Sequence, residues 1–365
     1  MTNPGVAKRR LFSQQLLGGD ATRPGDVLSW LGAVQAQEYA PAKWALGMRA
    51  QGVTDADVEG AFTRGELLRT HLLRPTWHFV TPADIRWMLA LTAPRVHALN
   101  AHMYRRLAFD AATLRRSNAA LAKALQGGQQ LTRDELRDIL RRSRIPVDGE
   151  MRMGYLMMAA ELDGVVCSGA RRGKQFTYAL LDERAPSSRT MSRDDALVEL
   201  AHRYFVSRGP ATLHDFAKWS GLTMADGKRG VAGVGDRLSH ETVQHRVFWF
   251  APSTTASSRR SRSSAHLLPI YDEYVSSYKD RSAMISATNS ERLKRMGNAL
   301  NHIIVVDGQI VGTWRREIER DAVVVTLNVL EQLTAAHHRA LLQEIRRFGE
   351  FVATPVRIIG LPRLD

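Results

Sequence analysis

What most constrains this chain is a repeated helix-start signature, in which a hydroxyl residue stands three positions ahead of an acidic one. It occurs at Thr54-Asp-Ala-Asp57, Thr132-Arg-Asp-Glu135, Ser192-Arg-Asp-Asp195 and Thr212-Leu-His-Asp215. In such a box the hydroxyl caps the free N–H groups of a first helical turn and the carboxylate reaches back to the cap residue. Pro24 and Asp26 open a further helical stretch through Val27, Leu28, Leu31 and Val34, with Thr22 or Arg23 near its cap. Thr81-Pro82-Ala83-Asp84 predicts another helix, with Thr81 as N-cap and Pro82 in the first turn.

The segments downstream of these starts repeat as well. The Thr54 helix runs through Val58, Ala61 and Phe62 to Gly65, and Leu67 to Val80 ends in a β-branched and aromatic stretch that reads as strand. The Thr132 helix runs through Leu136, Ile139 and Leu140. A turn at Pro146 and Gly149 and a helix of Met151, Met153, Leu156, Met157 and Leu162 come next. Val165-Val166-Cys167 and Phe176 to Leu180 then flank the basic run Ser168-Gly-Ala-Arg171-Arg172-Gly173-Lys174. Helix, turn, helix, basic hairpin is winged-helix order. A third unit has its starts at Ser192 and Thr212, and Ala217, Trp219 and Gly221 lead to another at Leu222-Thr223.

The predicted fold is therefore α+β, with three tandem winged-helix units at 1–110, 111–190 and 191–250. Residues 251 to 265, rich in Ser and Arg, read as a linker or surface loop marking a boundary. Beyond it His266–Ile270, Asn301–Val306, Gln309–Trp314 and Ala322–Leu327 read as strands, with Asp307-Gly308 as a hairpin turn. A last helix from about Thr334 to Phe351 completes a β-rich part, 266–365, expected to be a small barrel or twisted sheet. The competing fold is a helical protein whose hairpins merely close loops.

A chain of 365 residues allows two or three domains, and 44% hydrophobic against 24% charged residues excludes wholesale disorder. The formal net charge is +14, and of 51 basic residues only eight are lysine. Guanidinium groups fork onto phosphate oxygens and stack on bases, so this excess favours a nucleic-acid partner. A GC-rich genome explains the Arg/Lys ratio but not the net charge. Cys167 is the sole cysteine, which excludes an internal disulfide framework and a CxxC zinc or redox site. The first residues are too polar for a signal-peptide core and no segment reaches about 20 apolar residues. A soluble cytoplasmic protein is expected. HExxH, Walker A and GxSxG sequences are absent, and the glycines at 230, 233 and 235 come after no clear strand and so do not form a dinucleotide loop.

The sharpest local signal is Gln35-Ala36-Gln37, ahead of Glu38 and Pro41. Residues i and i+2 of a helix lie about 200° apart, so both carboxamides share one site only where the chain leaves the helix. Pro41 favours such an exit. The plain alternative is a pair of solvent-facing glutamines at a helix end.

With this motif the chain resembles the AlkZ-like winged-helix DNA glycosylases, whose signature is Gln-hydrophobic-Gln near the N-terminus. The resemblance extends to Arg74-Pro-Thr-Trp77-His78-Phe79 and to Leu267-Leu-Pro-Ile-Tyr271-Asp272-Glu273-Tyr274 with Tyr278-Lys279-Asp280-Arg281. It continues through Val306 to Trp314-Arg315-Arg316. It implies three winged-helix units and a β-rich part in a C-shape around a basic channel for duplex DNA. The implied reaction is excision of N-alkylated purines such as N7-alkylguanine and N3-alkyladenine. The Gln-x-Gln branch further implies unhooking of interstrand crosslinks and self-resistance in an antibiotic producer.

The chemistry agrees with this. Alkylation makes the purine cationic and a good leaving group, so paired amides that hold a water and face an oxocarbenium-like sugar suffice. Gln35 and Gln37 are thus the expected catalytic pair, with Glu38 as an alternative base or a mere surface charge. A monofunctional enzyme is expected, without cofactor or metal, acting as a monomer on double-stranded DNA in the bacterial nucleoid. Expected DNA contacts are Trp77, His78, Tyr271, Asp272, Lys279, Arg281, Arg171, Arg172, Lys174, Arg315 and Arg316. For Trp77 and His78 a core position is the competing reading, and for Asp272 or Glu273 neutralisation of Arg281. Two other functions stay open, a winged-helix regulator that does no chemistry and a helical interaction scaffold.

Overall fold

The computed structural model describes residues 4–186, 189–252, 263–296 and 302–361. Most of the Ser/Arg-rich stretch, 253–262, lies outside these residues, as does Asn301. The first sheet has three strands, β1 (Val34–Gln35), β2 (Leu68–Leu72) and β3 (Arg74–Val80), in the order β1-β3-β2. The second repeats this pattern with β4 (Leu131–Thr132), β5 (Val166–Ser168) and β6 (Thr177–Leu180) in the order β4-β6-β5. A two-stranded hairpin, β7 (Ser239–Val243) and β8 (Arg246–Phe250), comes after the third group of helices. The C-terminal part carries β9 (Ala265–Leu268), β10 (Ile303–Val306), β11 (Gln309–Ile318), β12 (Val323–Val329) and β13 (Val356–Ile359).

These last five strands form an open sheet in the order β13-β12-β11-β10-β9, so among the described residues the barrel alternative is replaced by a sheet. The edge strand β13 pairs parallel to β12, which requires the crossover helix Ala335–Val352 between them. Asp307 and Gly308 take φ of 47° and 82°, the left-handed pair that a tight hairpin requires.

The predicted helix starts hold at Thr54, Thr132, Ser192 and Thr212, each hydroxyl accepting from the backbone N–H three residues on. Thr223 does the same for the helix Met224–Val234. The glycines at 230 and 233 lie inside that helix, where a Cβ on Gly230 would meet Ala201 at 2.9 Å. They permit close packing on the helix Arg193–Arg208, consistent with no phosphate loop.

Two readings are corrected. The strand read at the end of Leu67–Val80 is β3, and β2 precedes it in a tight hairpin that the reading did not include, because Leu73 turns the chain at a φ of 62°. Thr81 does not cap a helix: its hydroxyl donates to Asp84, and the helix begins only at Ile85. Asp84 is instead the acceptor for Arg189, Arg203 and Trp87.

One hydrophobic cluster joins the first and third helix groups to the C-terminal sheet, while a second, built from Leu121, Leu136, Leu156, Val166 and others, underlies residues 104–178. The segment after β9 ties the first cluster together. Asp272 pairs with Arg49, Tyr278 accepts from Gln14 and donates to Arg208, and the Tyr204 hydroxyl donates to Ser277. Among the described residues no helix is long and apolar enough to cross a membrane.

Candidate active site

Helix Pro24–Leu31 ends at Gly32, in positive φ, and the chain straightens instead of entering the next helix. Val34 and Gln35 pair with Phe79 and His78 of β3, and the Ala36 amide donates to the Trp77 carbonyl at 2.7 Å. Val34 and Gln35 are therefore extended, Ala36 keeps one further ladder bond and is buried, and the chain bends at Gln37 and Glu38 before the next helix. The two carboxamides are brought to the same strand, Gln35 through Arg74 and Gln37 through Trp77 of β3. Pro41 lies within the first turn of the helix Tyr39–Gly47, so it is not what ends the preceding helix.

Each glutamine is held from several sides. The backbone N–H of Gln35 donates to Glu273 at 3.0 Å, and its Oε1 accepts from Arg74 at 3.3 Å. The Gln37 Oε1 accepts from the Trp77 backbone N–H at 3.4 Å. Arg69 donates to the carbonyls of Ala36 and Gln37, and its guanidinium lies over the rings of Trp77 and Phe176, 4.4 and 4.7 Å from their centroids. Both side-chain NH2 groups lack a hydrogen-bond partner among the described residues. Each carbonyl oxygen, taking one long bond, keeps a second acceptor site.

Beneath Gln35 lies a carboxylate that sequence reasoning did not assign to this task. Glu273 is fully buried, and its Oε2 accepts from Arg208, Trp219 and Ser277. Burial alone would raise its pKa, yet the Arg208 charge and hydrogen bonds from Ser277, Arg208 and Gln35 hold it down at about 2. Arg208 also donates to the carbonyls of Leu31 and Ala33, the residues that lead into β1. The ion pair therefore fixes the strand bearing Gln35.

Several expected DNA contacts are structural instead. His78 is fully buried, its Nδ1 against the Thr76 carbonyl, and burial followed by the Arg74 charge pushes its pKa down to about 3. It is a neutral core histidine. Asp272 is buried in a two-pronged pair with Arg49 at 2.8 Å and so faces neither DNA nor Arg281. Glu273 likewise neutralises Arg208, not Arg281. Arg171 stacks near Tyr39 and Phe176 and lies 3.6 Å from Glu59. Arg172 pairs with Glu135 and donates to the Gln130 carbonyl, so these two tip cations do have partners.

Lys174, Lys279 and Arg315 are exposed. Arg315 and Arg316 lie within β11 rather than after it, and alternation separates them, Arg316 being part-buried over Phe348. Trp77 is part-buried, stacked on His71 with its Nε1 toward Glu161. Tyr271 is part-buried with φ of 62°, and Glu38 is an exposed cap position.

Sequence reasoning missed Arg69, Arg74, Glu161, Arg208 and Lys218. A signal existed for some of them. Arg69 comes directly after Leu67-Leu68 and Glu161 after Ala159-Ala160, and a lone charge in an apolar run is buried only with a partner.

An α+β scaffold that holds two carboxamides against one strand, beside the arginines Arg69 and Arg74 that make no ion pair among the described residues, suits an enzyme acting on a polyanion. The model of the AlkZ-like DNA glycosylase family matches residues 28–351. A curated protein of Streptomyces sahachiroi described as an interstrand DNA cross-link repair glycosylase is 23% identical over 346 residues, covering 92% of this chain and 93% of that protein. The solved structure of the DNA glycosylase AlkZ of Streptomyces sahachiroi superposes with a TM-score of 0.81 at 23% identity, over 98% of this chain and all of that one. The chain belongs to the AlkZ-like DNA glycosylase family. It is an enzyme that hydrolyses N-glycosyl bonds, and DNA is its substrate.

Proposed function

We propose that this glycosylase excises N-alkylated purines, N7-alkylguanine and N3-alkyladenine among them, from duplex DNA through Gln35 and Gln37. The observation that carries this reading is that both carboxamides are pinned on β3, the Gln35 Oε1 by Arg74 and the Gln37 Oε1 by the Trp77 amide. A cationic purine departs with little acid help, so the demand falls on the sugar side. There the two Oε1 atoms accept the protons of one water and oppose the developing positive charge. Arg74 and the Trp77 amide keep those oxygens from turning away. A neutral pair also avoids the cost of a buried unpaired carboxylate. With the amides supplying the chemistry, the enzyme is monofunctional and leaves an abasic site.

The coarser architecture is consistent with three winged-helix units, 1–110, 111–190 and 191–250, and a β-rich part, 266–365, arranged as a C around a basic channel. Support comes from the repeated strand orders of the first two sheets, each flanked by capped helices, and the hairpin β7–β8 after the third helix group. Trp77, Tyr271, Lys174, Lys279, Arg281 and Arg315 are the remaining DNA contacts, and a monomer in the nucleoid suffices for such a channel. The naming of the Streptomyces relative supports interstrand crosslinks as a substrate; self-resistance to a crosslinking natural product is a further step of this reading.

The test is incubation with duplexes carrying N7-methylguanine or N3-methyladenine, EDTA present, and then treatment with alkali. Strand breaks at the modified purine are expected. No breaks above a protein-free control on either substrate would overturn the alkylpurine reading.

A further inference from the structure

We infer that Arg74, Lys218 and Arg281 form a seat for a single phosphodiester of the DNA strand that carries the reacting nucleotide. The inference rests on the glycosylase reading of Gln35 and Gln37. The three cations come from separate elements: Arg74 opens β3, Lys218 sits in the helix Leu213–Ser220, and Arg281 lies in the loop after the short helix Glu273–Ser276. Gly221 brings them together. Its left-handed φ of 71° ends the Lys218 helix, and a Cβ there would meet the Leu73 carbonyl oxygen at 2.4 Å and Arg74 Cγ at 3.4 Å. On the other side Lys218 Nζ donates to the Ser276 carbonyl, and Arg281 Nε to that of Val275 at 3.2 Å, two successive carbonyls at one helix end.

Each of the three is partly buried and each has a single neutral hydrogen-bond partner: the Gln35 carboxamide, the Ser276 carbonyl and the Val275 carbonyl. None of them makes an ion pair among the described residues, where other part-buried arginines, such as Arg203 with Asp84, do. The nearby carboxylates are already committed. Glu273 is taken by Arg208, and Asp215 accepts from Thr212 and from the backbone N–H of Lys279. Three desolvated like charges left in one place are costly, and an anion in contact with all of them removes that cost. The anion that accompanies every nucleotide beside Gln35 is a backbone phosphodiester.

The free site is already strained toward losing a proton. Burial, then the charges of Arg74 and Arg281, pull Lys218 down to about 8 against the opposing Glu273 and Asp215. A seated phosphodiester restores the proton. Arg74 spans the seat and the Gln35 carbonyl, so occupancy orients the carboxamide as well as the strand.

The probe is a duplex with one tetrahydrofuran abasic analogue, in which each neighbouring phosphodiester is replaced singly by an uncharged methylphosphonate. At one position the wild-type protein is expected to bind about tenfold more weakly. The variant Lys218→Gln/Arg281→Gln should be insensitive to that same replacement. Calorimetry at pH about 8.5 in two buffers of different ionisation enthalpy should show proton uptake by the wild type, absent in Lys218→Gln. A replacement that weakens variant and wild type equally at every position overturns the seat. So does wild-type binding without proton uptake. A seat filled by inorganic phosphate instead would leave the scan flat and is excluded by its success. The glycosylase reading fails separately, on absence of base release by the wild type.

Discussion

The first two sheets have the same strand order, yet one builds the site and the other builds a helix cap. In each, a two-residue strand pairs with the last strand of a hairpin: Gln35 stands opposite His78, and Thr132 opposite Thr177. At Thr132 the chain enters a helix at once, because the hydroxyl accepts from the Glu135 N–H and the Glu135 carboxylate answers the Thr132 N–H. After Gln35 the chain runs on for three residues, bending at Gln37 and Glu38, before the helix starts at Tyr39, and Glu38 caps nothing with its side chain. Postponing the helix start leaves two carboxamides held against β3 where the second sheet has a cap. The anchor differs too. The second sheet is tied to its neighbour, the Arg69 N–H of β2 donating to Ser168 of β5, whereas the first hangs from Glu273, 238 residues away in sequence.

The largest expected break in this comparison comes from the anchor. Glu273→Gln leaves Arg208 buried without its counter-charge, and losing one partner of such a pair costs about 3–5 kcal/mol. Denaturant unfolding should show that loss together with slower excision, as the ion pair that fixes the strand bearing Gln35 is broken. Unchanged stability would mean the carboxylate does not hold the strand.

Next in size are the residues at equivalent strand positions. Gln35→Ala and Gln37→Ala should each slow single-turnover excision by about 10²-fold or more, with DNA affinity and melting temperature nearly unchanged. Thr132→Ala should do the reverse, costing about 1 kcal/mol of stability and leaving the excision rate at saturation intact. Parental excision by either glutamine variant would strip that residue of its role.

How much of this was legible depends on which signals are local. A capping box spans four residues, so Thr54, Thr132, Ser192 and Thr212 marked real helices. Strand-like alternation located most of the C-terminal sheet, but β13 was hidden because its neighbour β12 is separated from it by a helix. The Gln-x-Gln motif was visible, and its face was not, since the extended backbone depends on pairing with β3 some forty residues later. Asp272 and Glu273 misled for the same reason. A charged pair beside tyrosines reads as a binding motif until Arg49 and Arg208 arrive from elsewhere in the chain. The unpaired cations of Arg74 and Lys218 are likewise a property of what does not approach them.

Acid should separate the two halves. His78, in β3 of the first sheet, and His266, in β9, are both held near 3 by burial, against an ordinary 6.5. Their unfolded forms take up protons that the folded forms refuse, so each withdraws stability as pH falls from 6.5 toward 3. Glu344 works oppositely: burial raises it to about 7, so the folded state binds a proton early and gains stability as pH falls from 7 toward 4.5. For these three groups the net between 4.5 and 6.5 is one proton, or about 1.4 kcal/mol lost per pH unit, and His302, lowered to about 4 by burial, adds a loss of the same sign. Among the described residues the buried histidines, His71, His78 and His266, all lie outside residues 104–178. Hydrogen exchange at pH about 5 should therefore deprotect β3 before β6, and a melting temperature flat from pH 6 to 4.5 would contradict the assignment.

The smallest effect distinguishes the two hairpins. The first turns at Leu73 with no loop to spare, so its charge, Arg74, points at Gln35. The second opens into residues 169–176, where Arg171 and Arg172 are tied to Glu59 and Glu135 and Lys174 is exposed with no partner among the described residues. If this tip grips DNA, Lys174→Glu should reduce the slope of log affinity against log salt by about 0.9, with no change in melting temperature or in the excision rate at saturating protein. Arg172→Glu should instead lower the melting temperature, because it sets a carboxylate against Glu135. A binding series over salt beside melting curves resolves the two. Equal melting temperatures for both variants would show that the Arg172 pair holds nothing, and an unchanged slope for Lys174→Glu would leave recognition to the first hairpin and its neighbours.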